Sequence, residues 1–334
     1  MNKYIINLDL HGGDFAPKSV LEGASIVLSK NPTIHFKLHS TKELQQQYSK
    51  KFSNIFHKSD WIESNNIIYP DMKPSEALKK DNRKSSMSNA ISDLKNNDNE
   101  ITISAGNTGA MLAYATVYLR TIENISRPAI ASLFPSKNHP VCFLDLGANS
   151  ECTAENLLDF AIMGSTYYQV LYPNTECKVA LLNIGSEEMK GNNLIQLTHE
   201  LLKSERRINY QGFVEANEIT NTTNHVIVTD GFSGNIALKT AEGVSKFITD
   251  SLKKSLTSSL YSKALSFLLK NRFQDFKNSI DPRNFNGGIF IGVNGIVIKS
   301  HGNADGHAFA NAIEFGLKCL KSNLLNKIKL NVSR

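Results

Sequence analysis

The sequence has few cysteines, and none of them lies at a spacing typical of a metal or redox site. Cys142, Cys152, Cys177 and Cys319 occur outside any CxxC pattern and away from histidines at ligand spacing. Zinc-binding proteins and disulfide-stabilised secreted proteins are therefore disfavoured. We expect reduced thiols, a cytosolic protein and no metal site.

Long apolar runs are also missing. No segment approaches the roughly 18 apolar residues that a membrane-spanning helix needs, and the first residues suggest a strand and not a signal peptide. We expect a soluble protein, or at most a peripheral one. The net charge is only +6, from 37 basic and 31 acidic residues. The basic residues are scattered and not interleaved with aromatics, so a nucleic-acid partner is not expected.

Strand and helix patterns alternate along most of the 334 residues. This alternation predicts an α/β fold with a largely parallel sheet covered by helices on both faces. We interpret residues 1–334 as a single domain with an amphipathic helical excursion at about 242–280. The segment 74–94 is expected to hold a loop and one helix. The predicted strands lie at 4–10, 34–39, 61–70, 101–104, 141–146, 179–184, 210–215, 225–229 and, as a pair, within 289–299.

The turn after the strand at Ile101 reads SAGNTGA and leads into an apolar helix. Gly106 and Gly109 permit close approach or a positive φ. Asn107 and Thr108 are suited to cap the helix and to hydrogen bond an oxyanion, and a helix start offers N–H groups to phosphate. On these residues alone, an anion site and an ordinary turn are equally good interpretations.

Six strand ends combine glycine with Asp, Asn, Ser or His. Ligands of open α/β sheets lie outside the carboxyl ends of the strands, so we expect these turns to form one shared cleft. Asp and Gly also simply make good turns, but six such ends favour a binding site. The six turns are 9–14, 104–109, 145–149, 183–191, 230–235 and 300–303.

Six segments follow one another along the chain: LDLHGGDFAP, SAGNTGA, LDLGAN, LLNIGSEEMKGN, VTDGFSGNIALK and GVNGIVIKSHG. In this order they resemble the motifs of the bacterial phosphate acyltransferase family, the acyl-carrier-protein:phosphate transacylases that begin phospholipid synthesis. The resemblance runs from about Tyr4 to Ile313. It implies a three-layer α/β/α fold related to isocitrate and isopropylmalate dehydrogenases, and a homodimer. It also implies that fatty acyl carrier protein and inorganic phosphate give acyl phosphate, which a membrane glycerol-phosphate acyltransferase then uses.

The resemblance also implies which residues act. Lys190 matches the family's catalytic lysine and would hold phosphate or polarise the thioester carbonyl. Asp230 would orient phosphate or Lys190, although it suits a helix cap equally well. His301 would donate to phosphate or assist the leaving thiolate, although a lone histidine is often structural. The predicted substrate-binding residues are Asn107, Thr108, Gly109, Asn149, Gly234, Asn235, Ser85 and Ser86.

This chemistry depends mainly on positioning and electrostatics, so no metal or redox cofactor is expected. Cys152 could be imagined as an acyl-accepting nucleophile, but the family transfers the acyl group directly to phosphate. His11 stands where the family usually has methionine, which leaves its role open.

Apolar residues recur every four positions from Val244 to Leu268, and the span 244–272 holds six basic residues and one acid, Asp250. A basic amphipathic hairpin of this kind lies on an anionic membrane or grips an acidic carrier protein. A core or dimer helix is the alternative. With the family resemblance, this pattern predicts a cytoplasmic protein associated peripherally with the inner face of the cell membrane.

Two other functions remain open from the sequence. A metal- and NAD-dependent decarboxylating dehydrogenase on a related fold would need a cluster of aspartates for Mg²⁺, and the sequence has no convincing one. A non-catalytic membrane scaffold for lipid synthesis would leave the polar turns inert.

Overall fold

The computed structural model describes residues 4–81, 84–257 and 287–333, together with the single residues 259, 269 and 272. In this part of the chain, eleven strands form one sheet in the order β3-β2-β1-β4-β11-β10-β5-β6-β9-β7-β8. The strands are β1 (Ile5–Asp9), β2 (His35–Ser40), β3 (Ser59–Glu63), β4 (Glu100–Ser104), β5 (Ala129–Phe134), β6 (Val141–Leu144), β7 (Lys178–Asn183), β8 (Asn209–Glu215), β9 (Val226–Val228), β10 (Gly288–Ile291) and β11 (Ile296–Lys299).

The sheet is mostly parallel, as predicted. Seven of its ten neighbouring pairs are parallel. The three antiparallel pairs adjoin one another in the middle of the sheet and join β11 to β10, β10 to β5 and β5 to β6. As a result, β6, β7, β8 and β9 run opposite to β1, β2, β3, β4 and β11.

Eleven α-helices are described in the same part of the chain: α1 (Lys18–Lys30), α2 (Lys42–Tyr48), α3 (Ser53–Phe56), α4 (Pro74–Asp81), α5 (Ser86–Ser92), α6 (Thr108–Tyr114), α7 (Ala154–Leu171), α8 (Asn193–Ser204), α9 (Gly231–Leu256), α10 (Gly306–Lys321) and α11 (Leu324–Val332). A π-helical turn at Ala115–Leu119 extends α6. None of these described helices has the length and apolar character needed to cross a membrane.

Several predicted boundaries were wrong. Strand β3 ends at Glu63 and does not extend to Pro70, and the segment 74–94 holds two helices where one was expected. Strand β5 was not predicted at all. Helix α9 is described as far as Leu256, and the remainder of the predicted helix, including the apolar positions 260, 264 and 268, lies outside the described residues.

Two apolar cores lie on opposite faces of the sheet. On β11, Ile296 and Ile298 belong to one core and Val297 to the other, as the alternation of side chains along a strand requires. Helices α1, α7, α10 and α11 supply buried residues to the first core, and α4, α5 and α6 supply them to the second. The sheet is therefore a middle layer between two helical layers.

Polar residues at the strand ends begin many of the helices. In each case the side chain of the residue before the helix accepts a hydrogen bond from a backbone N–H in the first turn, which satisfies a donor that has no partner within the helix. The capping residues are Ser85, Asn107, Thr153, Asn192, Asp230 and Asp305. Part of the Asp, Asn and Ser content of the strand ends is therefore explained by capping.

Candidate active site

Asp9, the last residue of β1, is buried and joins three segments. Its Oδ1 accepts hydrogen bonds from Ser86 Oγ at 2.6 Å and from the backbone N–H of His11 at 3.1 Å. Its Oδ2 accepts from Ser104 Oγ at 2.6 Å. Because the carboxylate receives donors from β4, α5 and its own turn, it fixes these segments relative to one another.

Glycines bring the turns after β1, β4 and β11 into contact. A Cβ on Gly12 would lie 2.6 Å from the backbone N of Gly106, and a Cβ on Gly13 would lie 3.0 Å from the carbonyl oxygen of Gly302. Gly13 also has φ +105, which favours glycine. The backbone N–H of Asp14 donates to that Gly302 oxygen at 2.7 Å. We call the turns 9–14, 104–109 and 300–303 the first turn group.

The predicted substrate residues of the 104–109 turn are placed here, but their side chains have structural partners. Asn107 Oδ1 caps α6 by accepting from Ala110 N at 3.0 Å, and its Nδ2 donates to the carbonyl oxygens of Pro70 and Met72 at 2.9 and 2.8 Å. Thr108 is partly exposed at the first position of α6. A Cβ on Gly109 would lie 2.7 Å from Pro74 Cγ.

Ser85 and Ser86, predicted to lie in a substrate loop, are both buried. Ser85 Oγ donates to Asp81 Oδ2 at 2.8 Å and caps α5, while the Ser86 hydroxyl donates to Asp9. Substrate binding by these residues and by Asn107 stays a prediction.

His11 contacts the neighbouring β2 end. Its Nε2 lies 2.9 Å from Ser40 Oγ and accepts a long hydrogen bond of 3.4 Å from the backbone N–H of Thr41. Burial lowers the pKa of His11, and the Asp9 charge opposes that shift. An Nε2 that accepts from an N–H is unprotonated, so the proton of the neutral imidazole lies on Nδ1.

The turns 145–149, 183–191 and 230–235 form a second turn group. Asp145 is buried, and its carboxylate accepts from the backbone N–H groups of Ile130, Ala148 and Asn149 at 2.9, 3.0 and 2.7 Å. Burial raises the pKa of Asp145, and these hydrogen bonds oppose the shift. Asn149 Nδ2 donates to Asp145 Oδ2 at 2.9 Å and to the carbonyl oxygen of Pro128 at 2.7 Å. The predicted substrate residue Asn149 therefore supports this turn.

Helix α9 begins against the Asp145 turn. Asp230 caps it, accepting from the Ser233 N–H and hydroxyl at 2.9 Å each. Gly234 packs so closely that an added Cβ would overlap the carbonyl oxygen of Asp145. The exposed side chain of Asn235 lies over Gly147, where a Cβ would be 2.6 Å from Asn235 Nδ2. Asp230 thus does cap the helix, and its catalytic role stays a prediction.

Lys190 lies in the loop after β7, and its backbone is held firmly. Its N–H donates to the carbonyl oxygen of Glu187 at 3.0 Å. Its own carbonyl oxygen accepts from Asn183 Nδ2 at 3.1 Å and from Gln196 Nε2 at 2.5 Å. The Lys190 side chain itself is exposed. The loop therefore presents an accessible ammonium group from a fixed backbone position.

Three residues near His301 were missed by the sequence analysis: Lys239, Glu242 and Lys299. His301 Nδ1 lies 3.8 Å from Glu242 Oε1, and Glu242 Oε2 accepts from Lys239 Nζ at 2.8 Å. Burial lowers the pKa of His301, and the Glu242 charge opposes that shift. Lys299 is a charged residue in the otherwise apolar segment GIVIKS, and this pattern could have indicated a functional residue from the sequence.

The six turns were expected to form one shared cleft outside the carboxyl ends of the strands, but they do not all leave the sheet at one edge. Three antiparallel pairings separate β11 from β6, so the two turn groups leave the sheet at opposite edges. Helix α9 connects them, because it begins at Asp230 in the second group and reaches His301 of the first group through Glu242. At 1.5 Å per residue, Asp230 and Glu242 are ~18 Å apart along this helix. The candidate active site therefore extends along α9.

The cysteines are all free thiols. Cys152 is the partly exposed one, and it lies near the start of α9. Burial, with the nearby Asp145 and Asp230 charges, raises its pKa to about 11. Because the thiolate is the nucleophilic form, Cys152 is poorly suited to accept an acyl group at neutral pH.

Sequence comparison places this chain among proteins of lipid metabolism. The family model described as "Fatty acid synthesis protein" matches residues 4–327. The chain is 41% identical over 339 residues to the phosphate acyltransferase of Pelagibacter ubique, covering 99% of this chain and 100% of that protein. It is 39% identical over 331 residues to the phosphate acyltransferase of Rhizobium etli, covering 98% and 95%.

Solved structures with the same fold are more distant in sequence. The EutD phosphotransacetylase of Staphylococcus aureus aligns with a TM-score of 0.59 at 13% identity, over 96% of this chain and 94% of that one. A branched-chain phosphotransacylase from Enterococcus faecalis gives 0.56 at 12%, over 95% and 99%. A putative 4-hydroxythreonine-4-phosphate dehydrogenase from Salmonella typhimurium gives 0.53 at 9%, over 95% and 99%. The fold thus occurs in proteins of more than one chemistry.

Proposed function

The chain belongs to the phosphate acyltransferase family, and from that membership we propose that it transfers a fatty acyl group from acyl carrier protein to inorganic phosphate. The observation that carries the proposal is the 41% identity to a phosphate acyltransferase over the full length of that protein. The product is an acyl phosphate, and the reaction serves phospholipid synthesis. A membrane glycerol-phosphate acyltransferase consumes that product.

The reaction is an acyl transfer between two nucleophiles. A phosphate oxygen attacks the thioester carbonyl carbon, forming a C–O bond and a tetrahedral oxyanion. Collapse of that intermediate breaks the C–S bond, and the carrier thiolate leaves and takes up a proton. The protein has to place phosphate against the carbonyl and stabilise the oxyanion, which is the usual origin of large rate enhancements in such steps.

Three residues are proposed to act on these groups. The exposed ammonium of Lys190 supplies positive charge to the oxyanion or to phosphate. Asp230 orients phosphate or Lys190 from the start of α9. His301 donates a hydrogen bond to phosphate or a proton to the leaving thiolate. Burial lowers the pKa of His301, and Glu242 at 3.8 Å opposes that shift.

We expect purified protein, given palmitoyl–acyl carrier protein and phosphate, to release carrier thiol and form acyl phosphate, which hydroxylamine traps as a hydroxamate. Because phosphate itself attacks, thiol release should require phosphate, and Cys152→Ala should be as active as the parent. Release at full rate without phosphate would indicate hydrolysis and refute the transacylase assignment. An acyl group on Cys152, detected by mass spectrometry, would refute direct attack.

The two alternative functions make different predictions. A dehydrogenase would give a difference spectrum with NAD, and the described residues contain no group of three or more His, Cys, Asp and Glu side chains arranged for a metal ion. A scaffold would show no acyl transfer. The family relationship favours the transferase over both.

We propose a single-domain protein that forms a homodimer, works in the cytoplasm and associates peripherally with the membrane. The relation of its fold to isocitrate and isopropylmalate dehydrogenases is proposed as well, and superposition of a crystal structure on those enzymes would test it.

Helix α9 supports the membrane proposal, because in its described length only Gly231 and Gly234 are buried. Its apolar residues Val244, Phe247 and Ile248 are 51%, 72% and 46% exposed.

Replacing Phe247 with Glu is expected to weaken binding to anionic phosphatidylglycerol vesicles at least about tenfold, because it removes ~2 kcal/mol of apolar burial and adds a repelled charge. Vesicle sedimentation measures this. Leu330→Glu on α11 is the matched control, since Leu330 is 74% exposed, and it should bind like the parent. Unchanged binding by the Phe247 variant would contradict the membrane proposal. A halved mass in solution would show instead that Phe247 lies in the dimer interface.

A further inference from the structure

Lys299 is a charged residue at the end of an otherwise apolar strand. It is the last residue of β11, paired in register with Ser104 of β4, and is partly buried. Its Nζ donates to the carbonyl oxygen of Ala105 at 3.3 Å and to that of Ser300. A lysine ammonium has three N–H donors. These carbonyls therefore fix the ammonium between the turns after β4 and β11 and leave it one further donor.

A second lysine approaches Lys299 from α9. Burial lowers the pKa of Lys299 to about 8, the charge of Lys239 acts in the same direction, and Asp14 opposes both. Lys239 and Lys299 both lower the pKa of His301 too. Glu242 contacts both Lys239 and His301, and His301 follows Lys299 by two residues. The two lysines and the histidine therefore lie near one another, with Asp14 and Glu242 as the acids beside them.

The backbone at Gly302 is less crowded than at the neighbouring glycines. A Cβ built on Gly302 would come no closer than 3.9 Å to Ala105 O, the oxygen that Lys299 binds, or to Asp14 Oδ1. The other contacting glycines, Gly12 and Gly13, have no such space. Lys239 is paired with Glu242, whereas the hydrogen-bond partners of Lys299 are carbonyl oxygens and not carboxylates. A bound anion would supply the opposite charge that this partly buried ammonium lacks.

We propose that Lys299 is the cation that binds inorganic phosphate and that Lys239 contacts the same anion from α9. The inference rests on the proposed function and deepens it. It assigns phosphate to the end of β11, beside His301. The anion then lies between the first turn group and the helix that carries Glu242.

The test is calorimetric titration of the full chain with inorganic phosphate alone. Lys299→Met should weaken phosphate binding about 10- to 100-fold, the usual effect of removing a charge-assisted hydrogen bond. Lys239→Met should weaken it about tenfold, and because Lys239 is exposed this variant should fold normally. The control is Lys246→Met, an exposed lysine about two turns further along α9, which should bind phosphate like the parent.

A pH series gives a readout that a purely structural lysine would not change. The ammonium form of Lys299 binds phosphate, so affinity should fall as pH rises through about 8, the pKa of this group in the free protein. Inorganic phosphate becomes more fully dianionic as pH rises, which would strengthen its binding, so a fall in affinity reports the loss of the lysine charge. Lys299→Arg retains its charge there, and the decline should disappear in that variant.

The proposal is overturned if folded Lys299→Met binds phosphate within twofold of the parent. If Lys299→Met does not fold, unchanged binding by Lys239→Met overturns the two-lysine site. In the acyl-transfer assay the variants should raise KM for phosphate and leave KM for acyl carrier protein unchanged. Binding is measured without acyl transfer, so parent protein that binds phosphate yet releases no thiol would refute the proposed function and leave this site standing.

Discussion

Replacing Lys190 with Met is expected to lower kcat about 100- to 1000-fold while the melting temperature stays unchanged. The loss follows from removing a positive charge that we propose acts on the developing oxyanion. The side chain is exposed, and its loop is held through the backbone of Lys190 by Asn183 and Gln196, so no packing is lost. Thiol release at saturating phosphate and a thermal melt measure the two effects.

Lys203→Met is the matched control for this variant. Lys203 lies on α8 and pairs with Glu188 of the same loop at 3.1 Å, so the change in charge is equal and the location is similar. We expect less than a twofold effect. If both variants lose activity equally, the loop needs only net positive charge, and a fully active Lys190→Met protein would exclude Lys190 from the site.

Asp230→Asn tests whether Asp230 takes part in the reaction or only caps helix α9. Asparagine caps helices as well as aspartate does, so stability should be retained while the charge is lost. Turnover should fall. Turnover equal to that of the parent protein would show that Asp230 acts only as a helix cap.

Replacing Gly234 with Ala is expected to destabilise the protein by ~3 kcal/mol and to lower the melting temperature by at least ~5 °C. The added methyl would overlap the Asp145 carbonyl oxygen and would lie 3.0 Å from the Asp145 carbonyl carbon. That backbone cannot move easily, because the Asp145 side chain holds the surrounding N–H groups. Differential scanning calorimetry measures the change.

Gly243→Ala on the same helix provides the control for the Gly234 variant. A Cβ at Gly243 meets nothing within 4 Å, so only helix propensity changes, which favours alanine by up to ~1 kcal/mol. This variant should melt at or slightly above the parental temperature. Equal melting temperatures for the two alanine variants would show that α9 does not pack against the Asp145 turn as described.

The sequence predicted most elements, because buried strands and amphipathic helices carry periodic apolar patterns. It failed at β5, a short apolar run between Pro128 and Pro135. That strand is antiparallel to both of its neighbours. The reversal of direction between β11 and β6 depends on the order and direction in which the strands pair, and no local pattern in the sequence specifies these.

For the site, sequence reasoning found polar turns but not their pairing. Glu242 and His301 are 59 positions apart in the chain, and no local pattern indicates that they meet. Asn107 was predicted from its chemical type, and Ser85 and Ser86 from the family resemblance. The structure shows that their side chains already have internal partners. Which polar groups remain available to a ligand depends on tertiary contacts that a single sequence does not reveal.

The buried carboxylate of Asp9 also determines which groups can compete with phosphate for the acyl chain. Ser104 Oγ gives its proton to Asp9 and accepts from Gly106 N at 3.0 Å, and the Ser86 hydroxyl proton is likewise committed. Asp230 engages the Ser233 hydroxyl in the same manner. Because Ser86 and Ser104 are buried and the Cys152 thiol is protonated, these three groups are poor acyl acceptors. They therefore compete little with an incoming phosphate for the acyl group.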